Sequence, residues 1–236
     1  MGESKGKPPR RKGMRASLAS SRELVFYNDA PVQRKFSQRF SSEIEAFITA
    51  IHEAHVQVQA AGKSWPRVER PQKLLLFLHV ALNSLYCSVH FLVSGYFQAA
   101  GQQARNYGEA CAMAMLMLID DEWISLTSQR ARYPAHEAMS RVTRKKNAAL
   151  LSAKLGLELD RWSDFRTINK HYDHYSHAGE FSLALHLNLR TGHILGGEFD
   201  GAKQTDYRDH LVRATAGAHS LAALVSQIGA HAATIV

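Results

Sequence analysis

The densest group of side chains able to do chemistry lies between Arg166 and His177, where Arg166, His171, Tyr172, Asp173, His174 and His177 fall within twelve residues. At about 100° per residue, Phe165, Ile168, Tyr172 and Tyr175 make one apolar stripe, while Arg166, Asp173 and His177 fall within about 40° of one another on a different face. A carboxylate beside an imidazole can orient it, and a neighbouring guanidinium can hold an anion, so this face suits acid/base work on an anionic substrate. The plain alternative is a solvated face in a chain with thirteen histidines. His171, His174 and His177 also read as H-x2-H-x2-H, but steps of three residues spread the imidazoles over about 120° of helix surface, so all three do not readily meet one ion, although two of them with Glu109 could. No HExxH pair or cysteine-rich pair is present, and no metal or other cofactor is expected.

A second polar pair stands apart. Arg105 and Glu109 are the only formal charges from Leu74 to Ile119. In so apolar a setting the two must be paired with each other or used, either as an intrahelical bridge or as part of an anion or substrate pocket with Tyr172 and the Arg166/His177 face.

Spacing of the R-x(4–6)-H kind occurs at Arg130/His136, Arg166/His171 and Arg213/His219, and only Arg166/His171 sits late in a strong helical pattern beside other polar groups. There the chain resembles the HEPN superfamily of small helical-bundle proteins, over about residues 40 to 177. The resemblance implies an RNA-directed protein, in which Arg166 would stabilise a scissile phosphate and His171 would assist attack by a ribose 2′-hydroxyl. It implies no metal, and it implies a homodimer. A second resemblance, carried by Arg105-x3-Glu109 and the later Tyr172 to His177 segment, is to uncharacterised bacterial helical proteins and implies no activity. The competing class is a non-catalytic helical binding or scaffold module.

The elements that must position these residues are helical. Residues 1–22 are rich in Lys, Arg, Gly, Pro and Ser and are expected to form a disordered basic tail; residues 1–15 alone carry +5 of the chain's net +8. The remainder, 23–236, reads as a single domain. Ser42 to Glu45 fits a capping box, and Ile44, Phe47, Ile48, Ile51, His55 and Val58 continue at helical spacing to about Ala61. Pro66 and Pro71 then interrupt, and two long helices over roughly 72–93 and 96–126 follow, broken near Ser94-Gly95. Ala100, Ala104, Gly108 and Ala112 form a row of small residues that lets another helix approach. The uncharged run from Leu74 to Val93 is long enough for a membrane span, but His79, Asn83, Ser84, Ser88 and His90 interrupt it, and stable insertion is not expected.

A short basic helix from Tyr133-Pro134 to about Asn147 carries Arg141, Arg144, Lys145 and Lys146, a solvated face or a nucleic-acid contact. Asp160 or Ser163 would cap the next helix, to about His177. From Phe181 to Leu189 the period changes to two, and with Thr191-Gly192 and His193 to Phe199 it predicts a β-hairpin. Tyr207, Leu211, Ala214, Ala218, Leu221, Val225 and Ile228 mark a closing helix. Cys87 and Cys111 stand alone in apolar sequence, as reduced core residues of a cytoplasmic protein do. The pattern is all-α: a helical bundle with a small C-terminal β-hairpin.

Overall fold

The computed structural model describes residues 29–120, 123–124, 135–156, 170–172 and 197–231. Among them, regular structure is helical throughout: α1 Ala30–Arg39, α2 Ser41–Ser64, α3 Glu69–Val93, α4 Phe97–Met117, α5 Ala135–Val142, α6 Lys145–Leu155, a 3-10 turn Gly201–Lys203 and α7 Gln204–His231. The expected hairpin lies outside the described residues apart from 197–199, which form no strand.

The apolar run folds as an antiparallel pair. α3 and α4 make the largest helix–helix interface, and α7 closes the bundle against α2 and α3. All seven stripe residues of α7, from Tyr207 to Ile228, are buried. By length and composition α3 is apolar enough to cross a membrane, yet half of its most apolar window is covered by the rest of the fold. Pro71 falls in the first turn of α3, where no N–H is needed, so it starts this helix rather than ending the preceding one.

The α3–α4 turn is the tightest joint. Gly95 has φ +84°, and a Cβ there would stand 2.5 Å from the Glu198 backbone nitrogen. Its carbonyl accepts from the Gly197 N–H at 3.2 Å, which ties the segment leading into α7 onto the turn. Only glycine meets both demands.

Four boundaries differ from the sequence reading. α1 was not expected; it begins with Pro31 in its first turn and buries only Val32 and Phe36, too little for a visible period. The capping box does not form, because the N-cap of α2 is Phe40, anchored in the core, and the Ser42 hydroxyl donates to its neighbour Glu43. Glu43 in turn accepts from Arg208 of α7 at 2.7 Å, and these bonds lower its pKa. α4 ends at Met117, nine residues early, as a run of acids from Asp120 would face the negative end of the helix dipole. The basic helix is split at Thr143, whose hydroxyl donates to the Met139 and Ser140 carbonyls and competes with the helical ladder.

Candidate functional site

The Arg105–Glu109 pair is an intrahelical bridge. Arg105 Nε donates to Glu109 Oε1 at 2.9 Å, with the side chains 17% and 16% exposed. One turn of α4 away, Gly108 admits the Met139 side chain of α5, whose Cε would lie 3.4 Å from a Cβ at that position. The small-residue row works as expected there, and Ala100, Ala104 and Ala112 are buried.

Of the Arg166–His177 segment, residues 170–172 are described and are helical. Arg166, Asp173, His174 and His177 lie outside the described residues, and so does any approach of Arg105 to them. Lys170 is exposed, His171 is half-buried and Tyr172 is buried. Tyr172 therefore faces the core, as its place in the apolar stripe predicts, and its ring stands 5.0 Å from that of His171.

What Tyr172 meets was not singled out from the sequence. His210 of α7 is 2% exposed, with its ring edge-on to Tyr172 and to Phe97. Its Nε2 is 2.8 Å from the Ser88 hydroxyl, and its Nδ1 is 3.4 Å from the Tyr172 hydroxyl. Ser88 donates its one hydrogen to the Ala100 carbonyl at 2.8 Å, so it can only accept from His210. The tautomer follows: Nε2 carries the proton, and Nδ1 accepts from Tyr172. Burial first, then the nearby charges of His171 and Arg213, push the pKa of His210 down from 6.5 to about 3. The direction of Ser88 also bears on chemistry. A nucleophilic serine donates to its histidine, whereas this one accepts, in a sealed core, so the chain of bonds holds α3, α4, α7 and Tyr172 together.

α7 runs alongside α4 from this point. Two turns beyond His210, Gly217 packs on Tyr107, with a Cβ there falling 3.2 Å from the ring, and the Tyr107 hydroxyl donates to the Gly217 carbonyl at 2.9 Å. Cys111, one turn on from Tyr107, is a free buried thiol pushed up to about 12 by burial, and Cys87 is also free. Between His210 and Gly217 lies Arg213, only partly exposed, whose Nε is buried and has no hydrogen-bond acceptor among the described residues. The third R-x(4–6)-H match does not bring its members together, because His219 is exposed and turns to Glu53 at 3.7 Å.

Ahead of α7, Lys203 is 7% exposed, its pKa lowered by burial against the opposing pull of Asp200 and Asp206. Asp200 caps the 3-10 turn by accepting from the Ala202 N–H. The Tyr207 hydroxyl accepts from the Asp200 N–H, and burial pushes the phenol up to about 12. An open groove of about 460 Å³ between the ends of α2 and α7 is lined by Trp65, Gln57, Ser226 and small residues, with no titratable group. Among the described residues no group of three or more His, Cys, Asp or Glu is placed to hold a metal ion.

Compared with known protein families, with curated proteins and with solved structures, the chain matches none.

Proposed function

We propose that the chain is an RNA-directed helical protein of HEPN-like type, a cytoplasmic homodimer that cleaves RNA without metal. The observation that supports an RNA partner is the corner between α5 and α6. Residues 138–157 contain five cations and no acid. Two of the five are engaged: Arg141 pairs with Glu137 at 3.1 Å and lies over the Trp123 ring, and Lys154 donates to the Leu118 carbonyl. Arg144, Lys145 and Lys146 are exposed, and among the described residues nothing bonds to their side chains. They also stand at the first turn of α6, the positive end of its dipole, where cations are disfavoured and where the helix has no acid and no side-chain cap. A charge arrangement that the fold does not use suits a polyanion, whose counterions such a corner would displace.

In this reading His171 takes the 2′-hydroxyl proton while Arg166 bears the phosphate charge; Asp173 orients His177, with His174 beside it. The hairpin expected over 181–199 belongs to the same reading. One observation favours the alternative of a non-catalytic binding module: Arg105 and Glu109 are satisfied by each other, so they need not serve a substrate.

The test is cleavage and binding of a mixed-sequence RNA by purified protein in EDTA. Arg166→Ala and His171→Ala should each lower cleavage by about 100-fold or more, the usual size of a general acid/base or electrostatic contribution. Replacing Arg144, Lys145 and Lys146 by Gln should weaken binding and flatten its salt dependence by about 2 in log–log slope, about 0.7 for each lost phosphate contact. Binding without cleavage, with the slope still falling, would select the module reading. Absence of RNA binding would remove the RNA-directed reading and leave a module for another partner.

A further inference from the structure

α3 packs on α4 and α7 through the side that carries Leu85 and Ser88. Its opposite side is left to solvent. Leu76, His79, Val80, Asn83, Cys87 and His90 recur there at steps of three and four residues, spanning about 100° of helix surface and, at about 1.5 Å per residue, about 21 Å of its length. Leu76 is 59% exposed and Val80 43%; His79, Asn83 and His90 are also exposed, and Cys87 is a free, half-buried thiol. No formal charge occurs between Lys73 and Arg105, so the stripe is uncharged from end to end in a chain of net charge +8. Such spacing is the pattern by which one helix docks on another, and among the described residues no helix occupies this stripe.

Beside the stripe stands Tyr86, 38% exposed and fixed in place. Its hydroxyl is 3.2 Å from His55 Nδ1 of α2, the two rings are edge-on, and Gln59 holds the other imidazole nitrogen at 2.9 Å. An aromatic ring already held in one position loses little entropy on contact, which is why such rings anchor protein interfaces. Lipid suits the face less well. His79, Asn83 and His90 would lose their bonds to water and find none in hydrocarbon, and half of the most apolar window of α3 is already covered by the bundle. A second face of the same composition supplies the missing partners. With two α3 helices antiparallel and Asn83 on the two-fold axis, each amide donates to the other's carbonyl. The same arrangement sets Val80 on Tyr86, His79 beside the Cys87 thiol and Leu76 beside His90. A two-fold contact of this kind brings like charges near their own copies, and this stripe has none to repel.

We infer that the uncharged outer stripe of α3 is the docking surface for a second copy of this chain, with the two α3 helices antiparallel about Asn83. The inference deepens the homodimer reading above: it rests on that reading for the partner and assigns the face and the register. One helix pair alone falls short of the roughly 800 Å² per partner that a stable dimer buries. An axis perpendicular to the helices keeps α2 on the same side in both copies, so α2, which flanks the stripe at Tyr86, is brought toward its own copy and widens the contact.

The experiment is sedimentation equilibrium of the full chain without RNA. The wild type should dimerise, and Val80→Glu, which sets two carboxylates near the axis, should weaken the dimer about tenfold or more. Val212→Glu, at a position 56% exposed on α7, should leave it unchanged. Circular dichroism matching the wild type checks that both variants are folded. Oxidation reads the register. Asn83→Cys combined with Cys87→Ser should link two copies through a disulfide. Cys87 alone should not, because its copy lies eight residues or about 12 Å along the helix, beyond the roughly 7 Å that a disulfide spans between Cα atoms, whereas His79→Cys should let Cys87 link across. A monomeric wild type would overturn both this face and the homodimer reading. A dimer indifferent to Val80→Glu would overturn the face and leave the homodimer standing, and linkage of Cys87 to Cys87 would overturn the antiparallel register. A wild type that stays monomeric but cosediments with phosphatidylcholine vesicles, and loses this in Val80→Glu, would give the face to lipid instead. RNA cleavage is read separately: a dimer that Val80→Glu breaks but that cleaves no RNA retains this face and loses the ribonuclease reading.

Discussion

His210 and Arg213 stand three residues apart on one helix and share one seam, yet the fold treats them in opposite ways. Each hydrogen-bonding position of the imidazole is taken, by Ser88 on one side and Tyr172 on the other, and the ring is neutral. The guanidinium one turn on holds a buried N–H that no described residue accepts. A polar group with all its bonds made inside the protein is part of the scaffold. One with no acceptor among the described residues contributes no such bond to the scaffold.

Breaking the satisfied member should have the larger effect. His210→Ala removes a packed ring, leaves the Tyr172 hydroxyl without its acceptor and opens a cavity, so a loss of about 3 kcal/mol is expected in denaturant unfolding. Ser88→Ala strands the His210 Nε2–H and removes the bond to the Ala100 carbonyl, and should cost about 1–2 kcal/mol. A loss below about 0.5 kcal/mol in the first variant would show that the network does not hold the bundle.

Acid should reach the same group with an intermediate effect. The folded pKa of His210 lies below its ordinary 6.5, so the unfolded chain takes up the proton first and stability falls as pH drops from 6.5 toward 3. From pH 7 to pH 5 that contribution is about 2 kcal/mol, at about 1.4 kcal/mol for each unit below 6.5. Glu43 has a lowered pKa, and its contribution is lost only below the ordinary carboxylate value of 4.5, outside this window. A His210→Gln variant should show a flatter stability profile between pH 7 and 5; a profile unchanged from the wild type would assign the slope elsewhere.

The apolar skeleton was legible because burial repeats with the helix. The α7 stripe and the α3 and α4 pair stand almost where periodicity places them, and Tyr172 points inward as its stripe requires. α1 escaped notice because two buried residues make no period, and the break at Thr143 because one hydroxyl decides it. The polar interior was harder to see. His210 follows Tyr207 at i+3 within the buried stripe, a signal present but lost among thirteen histidines. Arg213 was paired with His219 by sequence spacing, whereas His219 is exposed and turns to Glu53. No local pattern reports the contact of Tyr172 with His210 across 38 residues, and that separation is what concealed the network.

The most direct measurement is thermal unfolding of the wild type, His210→Gln and Arg213→Met. Removing a buried donor that no described residue accepts should leave Arg213→Met as stable as the wild type or more so, whereas replacing the imidazole of His210 should lower the midpoint. An Arg213→Met variant destabilised by more than about 1 kcal/mol, the cost of a lost structural hydrogen bond, would make Arg213 a part of the scaffold like His210.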